Sequence, residues 1–253
     1  MLLAAGMLGI LGLTALAGAN YYLDGQRKAA AFSLSPTATP TSQTTPAPTV
    51  SDGLQTACRL PTSRRQTGDL WMAGTGTQAG FRAHETFMDV VPLPHEAVAR
   101  TDRVAGYLQE LEVDGAHVVI QSGCFAVELN GLTSIDSLPG MRAQDRDELY
   151  PQILDTRTYP LAIMKLHRST VPKFGSKPQR LSVSAELTIK DTTRPVSLTV
   201  DAQTTSGGVQ AVGSMAINAR DFTVYLPGDG EDSPIRVDPH LTLEFLLVLN
   251  PAS

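Results

Sequence analysis

The stretch LSVSAELTIKDTTRPVSLTVDA, residues 181–202, decides the fold. In its first half Leu181, Val183, Ala185, Leu187 and Ile189 alternate with Ser182, Ser184, Glu186 and Thr188, so a strand's period of two puts every apolar side chain on one face. In the second half Val196, Leu198, Val200 and Ala202 alternate with Ser197, Thr199 and Asp201 in the same way. A turn through Lys190 to Arg194 makes the two runs a β-hairpin with one buried face.

The same pattern continues on both sides. After Gly207 and Gly208 a strand is expected from Val209 to Ile217, and the closing run LTLEFLLVL puts Leu241, Leu243, Phe245, Leu247 and Leu249 on one face. The other face of that run carries Leu246 and Val248 beside Thr242 and Glu244, which predicts a cover from the N-terminal tether or a helix. Upstream, Gln78 to Phe87, Arg103 to Glu112, Ala116 to Glu128 and Leu161 to Arg168 read as further strands. Between the last two lies MRAQDRDELYPQILDTRTYP, whose polar, helix-favouring residues around Asp145 to Leu149 stop at prolines, so one short helix and a loop are expected there. Many evenly spaced strands with one short helix imply an all-β domain, either a closed antiparallel barrel or a sandwich, over residues 67–253.

Residues 1–66 have a different character. Met1 to Leu23 form an uncharged apolar run about as long as a membrane-spanning helix, with Tyr21 and Tyr22 placed as an interfacial belt. We read residues 1–28 as a transmembrane anchor; Ala17-Gly18-Ala19 gives the alternative of a cleaved signal segment. Arg27 and Lys28 after the span oppose an outward orientation by the positive-inside rule. Residues 29–66, with SPTATPTSQTTPAP at their centre, carry too little apolar surface to offset the entropy of folding and read as a disordered Thr/Pro/Ser-rich linker. Such a spacer suits a barrel held outside the cytoplasm on a single-pass anchor, or secreted if the segment is cleaved.

The chemistry of the chain is sparse. A net charge of -5, with 20 Lys and Arg scattered among 25 Asp and Glu, lacks the clustered basic surface that nucleic acid requires. There is no phosphate-binding glycine loop, HExxH or GxSxG, so no catalytic constellation and no cofactor is implied. His84, His95, His117, His167 and His240 are too dispersed to define a metal site, and the GDGED turn at 228–232 lacks the ligand spacing of a calcium loop. Cys58 and Cys124 are either two unpaired thiols or a disulfide that clips the segment before the domain onto a strand. Nothing decides between a monomer and a homodimer.

Four blocks carry a resemblance to the YceI-like, polyisoprenoid-binding proteins: AGFRAHETF (79–87), ARTDRVAGYL (99–108), MRAQDRDELYPQILDTRTYPLAIMKL (141–166), and the 181–200 hairpin followed by LEFLLVL (243–249). The resemblance implies an extended eight-stranded antiparallel, lipocalin-like barrel with an apolar tunnel that binds, stores or transports a long-chain isoprenoid or fatty-acid-like lipid. The chain departs from the family at Glu85, where many members have histidine, at Asp191 and at Thr223. On this reading Phe81, Phe125, Ile163 and Leu198 line the tunnel, and Arg82 or Arg142 pairs with an anionic head group, because a guanidinium matches phosphate and carboxylate bidentately. The alternative is a non-catalytic structural or stress-related interaction protein of the cell envelope with a filled barrel.

Overall fold

The computed structural model describes residues 29–34, 51–60, 68–88, 93–138, 141–228 and 233–252. The strands are β1 (Asp69–Ala73), β2 (Gln78–Phe87), β3 (Leu93–Thr101), β4 (Val104–Asp114), β5 (His117–Glu128), β6 (Thr133–Ser134), β7 (Leu161–Leu166), β8 (Ser169–Pro172), β9 (Gln179–Ile189), β10 (Thr192–Thr204), β11 (Val209–Asn218), β12 (Ile235–Val237) and β13 (His240–Pro251). Among the described residues three short α-helices accompany them: α1 (Asp52–Ala57), α2 (Ala143–Asp147) and α3 (Tyr150–Ile153).

The strands close a ring in the order β1-β4-β5-β7-β9-β10-β11-β13, with β13 pairing back onto β1. Every ladder is antiparallel. Because β13 pairs with β1 through Leu249–Pro251 and with β2 through Thr242–Leu246, β1 and β2 together serve as one bent strand. In the same way β3 pairs with β2 while β4 pairs with β1, and β7 and β8 both lie along β5. The result is an eight-stranded closed barrel.

The 181–202 hairpin forms as its alternation dictates: Leu181, Val183, Ala185, Leu187 and Ile189 are buried inside, Leu198, Val200 and Ala202 face them across the ladder, and the turn is only Lys190 and Asp191. The expected helix is present as the two turns α2 and α3, interrupted at Glu148 and Leu149, with Pro151 in the first turn of α3. Strand β3 is not legible as alternation, because Ala97, Val98 and Ala99 are all buried, one face in the barrel and the other under the segment leading to Asp136.

The linker reading needs correcting in two places. Ser51 caps α1 through its hydroxyl, Leu54 of α1 is fully buried, and Cys58 is joined to Cys124 of β5 in a disulfide with the Cα atoms 5.4 Å apart. Helix α1 thereby covers an outer apolar patch of Tyr107, Ala126 and Ile163. Residues 29–34 lie along the outside of β2 and β3, where Arg82 and Arg100 donate to the carbonyls of Ala29 and Ala30 and the Arg100 guanidinium sits 3.8 Å above the Phe32 ring. Single apolar residues set in a polar stretch, Leu54 in α1 and Phe32 under Arg100, sit at these contacts.

The anchor or signal reading of residues 1–28 lies outside the described residues, as does most of the GDGED turn. Among the described residues no helix is long and apolar enough to cross a membrane.

Candidate functional site

Inward side chains of the ring do not meet at the centre. They enclose a cavity of about 420 Å³, in the range of small-molecule sites, walled by Phe81, Phe125, Met164, Leu187, Met215 and Phe245 among others. Below it a second void of about 60 Å³ is bounded by Leu108, Leu181, Leu198 and Leu249. Phe125, Met164, Phe245 and Leu247 belong to both walls and form the neck between them.

The two neck phenylalanines lie flat because glycines stand opposite them. Phe125 pairs in register with Gly106 and Phe245 with Gly213, and a Cβ on Gly213 would come within 2.3 Å of the Phe245 ring. Removing the side chain across the ladder gives each ring room to fold over the neighbouring strand.

One end of the large cavity is polar. Here α2 and α3 place Arg146 and Tyr150 over Glu85 of β2. Asp136, buried at the rim, accepts two hydrogen bonds of 2.6 Å from the Arg146 guanidinium, one of 2.7 Å from His95 Nε2 and one of 2.8 Å from the Val98 amide. Burial alone would raise the Asp136 carboxyl, but the hydrogen bonds from His95, Arg146 and Val98 hold it well below the usual carboxylate range. Burial likewise pushes the Tyr150 hydroxyl up to about 12, despite its 2.8 Å hydrogen bond with Ser134. Glu85 is raised by burial, only partly offset by Arg146 and His95, and its Oε2 is sealed from solvent without a partner. A second carboxyl, Glu110, sits in the wall of the small void, where it accepts from Trp71 Nε1 at 3.1 Å and is also raised by burial.

The interior is thus an apolar tube with a polar end, and the YceI-like domain model matches residues 95–249. The chain belongs to the YceI-like family. Among curated proteins none matches this YceI-like chain. Similar solved structures include a polyisoprenoid binding domain from Saccharophagus degradans implicated in plant cell wall breakdown, at 12% identity and TM-score 0.47 over 74% of this chain and 100% of that one. Burkholderia cenocepacia BcnA is 17% identical, with TM-score 0.45 over 69% of this chain and 96% of its own, and the Campylobacter jejuni YCEI protein is 10% identical, with TM-score 0.39 over 61% and 84%.

Within this YceI-like barrel the residues read from sequence separate into two groups. Phe81 and Phe125 line the large cavity and Leu198, 2% exposed, lines the small void. Ile163 does not: it pairs with Ala126 on the outer face under α1, and its neighbours Ala162 and Met164 take the inward positions. The LAIMKL run is apolar on both faces because α1 covers the outside, so alternation there does not fix the phase. Arg82 also points outward, donating to Glu244 at 2.8 Å and Glu96 at 3.0 Å. Arg142 is exposed on the rim and grips Asp145 rather than the cavity. The guanidinium that does reach the wall is Arg146, which sequence reading passed over because AQDRDEL resembles a solvated helix face.

Proposed function

We propose that the barrel binds one long-chain apolar lipid, isoprenoid or fatty-acid-like, in its interior and acts as a carrier or store without catalysing a reaction. The observation that carries this is the 420 Å³ hollow with an almost wholly apolar wall inside a closed sheet. Each methylene moved from water into such a wall contributes about 0.8 kcal/mol, so about ten of them are needed to offset the freedom lost on association. That requirement selects long chains over short ones. The filled-barrel reading is weakened by the same open space.

We further place the domain outside the cytoplasm, tethered through residues 1–28. The support is the Cys58–Cys124 disulfide, since such bonds persist in oxidising compartments.

The binding proposal is tested by stripping the purified protein with organic solvent and titrating it with N-phenylnaphthylamine, a fluorophore bright only in apolar surroundings. Saturable uptake is expected, and Ala162→Trp, which places an indole in the cavity wall, should reduce it by about tenfold or more while the protein remains folded. Equal uptake by the two proteins would remove the cavity from the account.

A further inference from the structure

Residues 29–34 are fastened to the barrel by a clamp on its outer face. Glu244, 5% exposed, accepts from Arg82 and from Arg100, each at 2.8 Å, and Glu96 accepts from Arg82 at 3.0 Å. These carboxylates hold both guanidiniums in place, and the N–H groups that remain donate to the strap. Arg82 reaches the carbonyls of Ala29 and Ala30, at 3.1 and 2.8 Å, and Arg100 reaches that of Ala30 while stacking on Phe32. Arg82 thus grips the N-terminal segment of its own chain.

The place of the clamp along the barrel limits where the preceding chain can go. The cavity opens beside α2 and α3, where Asp145 and Leu149 both line it and are exposed. Phe87 and Met88 end β2 on that side. Arg82 stands five residues before Phe87 and opposite Thr242, from which β13 runs nine residues on to Pro251 at the far end. At about 3.3 Å per strand residue, the mouth is about 17 Å from the clamp and the far end about 30 Å. Ahead of Ala29 come the polar residues 24–28, DGQRK, and ahead of those the apolar run 1–23. Six Cα steps separate Leu23 from Ala29, a reach of at most about 21 Å. An apolar run seated in a bilayer therefore brings the mouth within reach of the lipid surface and leaves the far end out of reach. The Thr/Pro/Ser-rich stretch adds no slack, because it follows the clamp and joins two segments, 29–34 and α1, that are both fixed to the barrel.

Exposed apolar side chains alone do not choose an end. Met88, Leu149 and Tyr225, the last 69% exposed, stand at the mouth, and Met72, Leu111 and Val113 stand toward the far end. The flank beside the clamp is polar, with His84, Glu96 and Arg100. Chain length makes the choice. We infer that the mouth end of the barrel rests on the surface of the bilayer that anchors it, with Met88, Leu149 and Tyr225 against lipid, so that the cavity opens toward the membrane. This rests on the reading of residues 1–28 as a membrane tether and gives that tether an orientation. In this arrangement an apolar chain passes between bilayer and cavity without being exposed to water at about 0.8 kcal/mol per methylene.

The test uses the full chain reconstituted in phosphatidylcholine vesicles whose acyl chains carry bromine, a contact quencher of tryptophan. Trp71, the single tryptophan, pairs with Pro251 at the far end and serves as an internal reference. Its emission should be the same in brominated and ordinary vesicles. Tyr225→Trp should lose the emission of its added indole in brominated vesicles, and Val113→Trp, at an exposed position of the far end, should keep it. Because Tyr225 lies outside the cavity wall, quenching there reports the bilayer and not a bound ligand. Equal quenching at the two positions, or none at either, in chains that sediment with the vesicles overturns the orientation and leaves the tether standing. Stronger quenching in Val113→Trp reverses the orientation and overturns it too. A wild-type chain that stays in the supernatant removes the tether and this inference with it.

Discussion

Asp136→Asn is expected to lower the unfolding free energy by about 3–5 kcal/mol, because it strips the counter-charge from a buried guanidinium. Arg146 is 6% exposed and Asp136 5%, so water cannot replace the lost partner, and the His95 and Val98 hydrogen bonds are weakened at the same time. For a domain of this size the loss corresponds to a fall in Tm of about 10 °C. Replacing both partners, Asp136→Leu with Arg146→Met, should recover much of the stability, since the cost lies in the uncompensated charge. The sign of the pH dependence follows from the depressed carboxyl. Its contribution is complete above the ordinary aspartate range near pH 4 and is lost as pH falls below it. Glu85 and Glu110, both raised, act in the opposite sense: ionising them in the barrel costs stability as pH rises above the usual glutamate range. Thermal melts across pH should therefore show an acid limb that is shallower in Asp136→Asn. An unchanged acid limb, or a Tm within a degree or two of wild type, would contradict the role given to this pair.

Removing the Cys58–Cys124 bridge is expected to cost about 4 kcal/mol, by the chain-entropy argument applied to a sequence separation of 66 residues. The local consequence should be larger than the global one. Helix α1 has only six residues, too few to persist alone, and is held by the bridge and by Leu54. In Cys58→Ala/Cys124→Ala, or after reduction, residues 51–58 should lose protection from hydrogen exchange, and the patch at Tyr107, Ala126 and Ile163 should become accessible. Because that patch lies outside the barrel wall, uptake of N-phenylnaphthylamine should survive. A reduced protein with the same melting point and the same exchange at 51–58 would show that the bridge adds nothing.

The parts of the fold that were legible in the sequence are those with one wet face. β9, β10 and β11 alternate over most of their length, and the apolar residues that the alternation points inward are buried there. Legibility failed wherever something covers the outside. β3 is buried on both faces, and β7 lies under α1, which is how Ile163 was placed one step out of phase. Residues 51–60 were read as linker because their composition is polar, yet one buried leucine and one disulfide suffice to fix them. In the site, alternation through AGFRAHETF puts Phe81, Ala83, Glu85 and Phe87 together and Arg82 on the opposite face, so the outward course of Arg82 is legible in the sequence. Arg146 and Asp136 were not recoverable: their partnership joins a polar helix to a loop ten residues earlier, and no periodicity links them.

The hollow interior is tested most directly by native mass spectrometry of the full-length chain purified without added detergent. A population heavier than the bare chain by the mass of one long apolar lipid is expected, converting to the bare mass after solvent extraction and returning when geranylgeraniol is supplied. A single bare mass at every stage, together with no displaceable fluorophore, would contradict a ligand-holding barrel and leave only the scaffold.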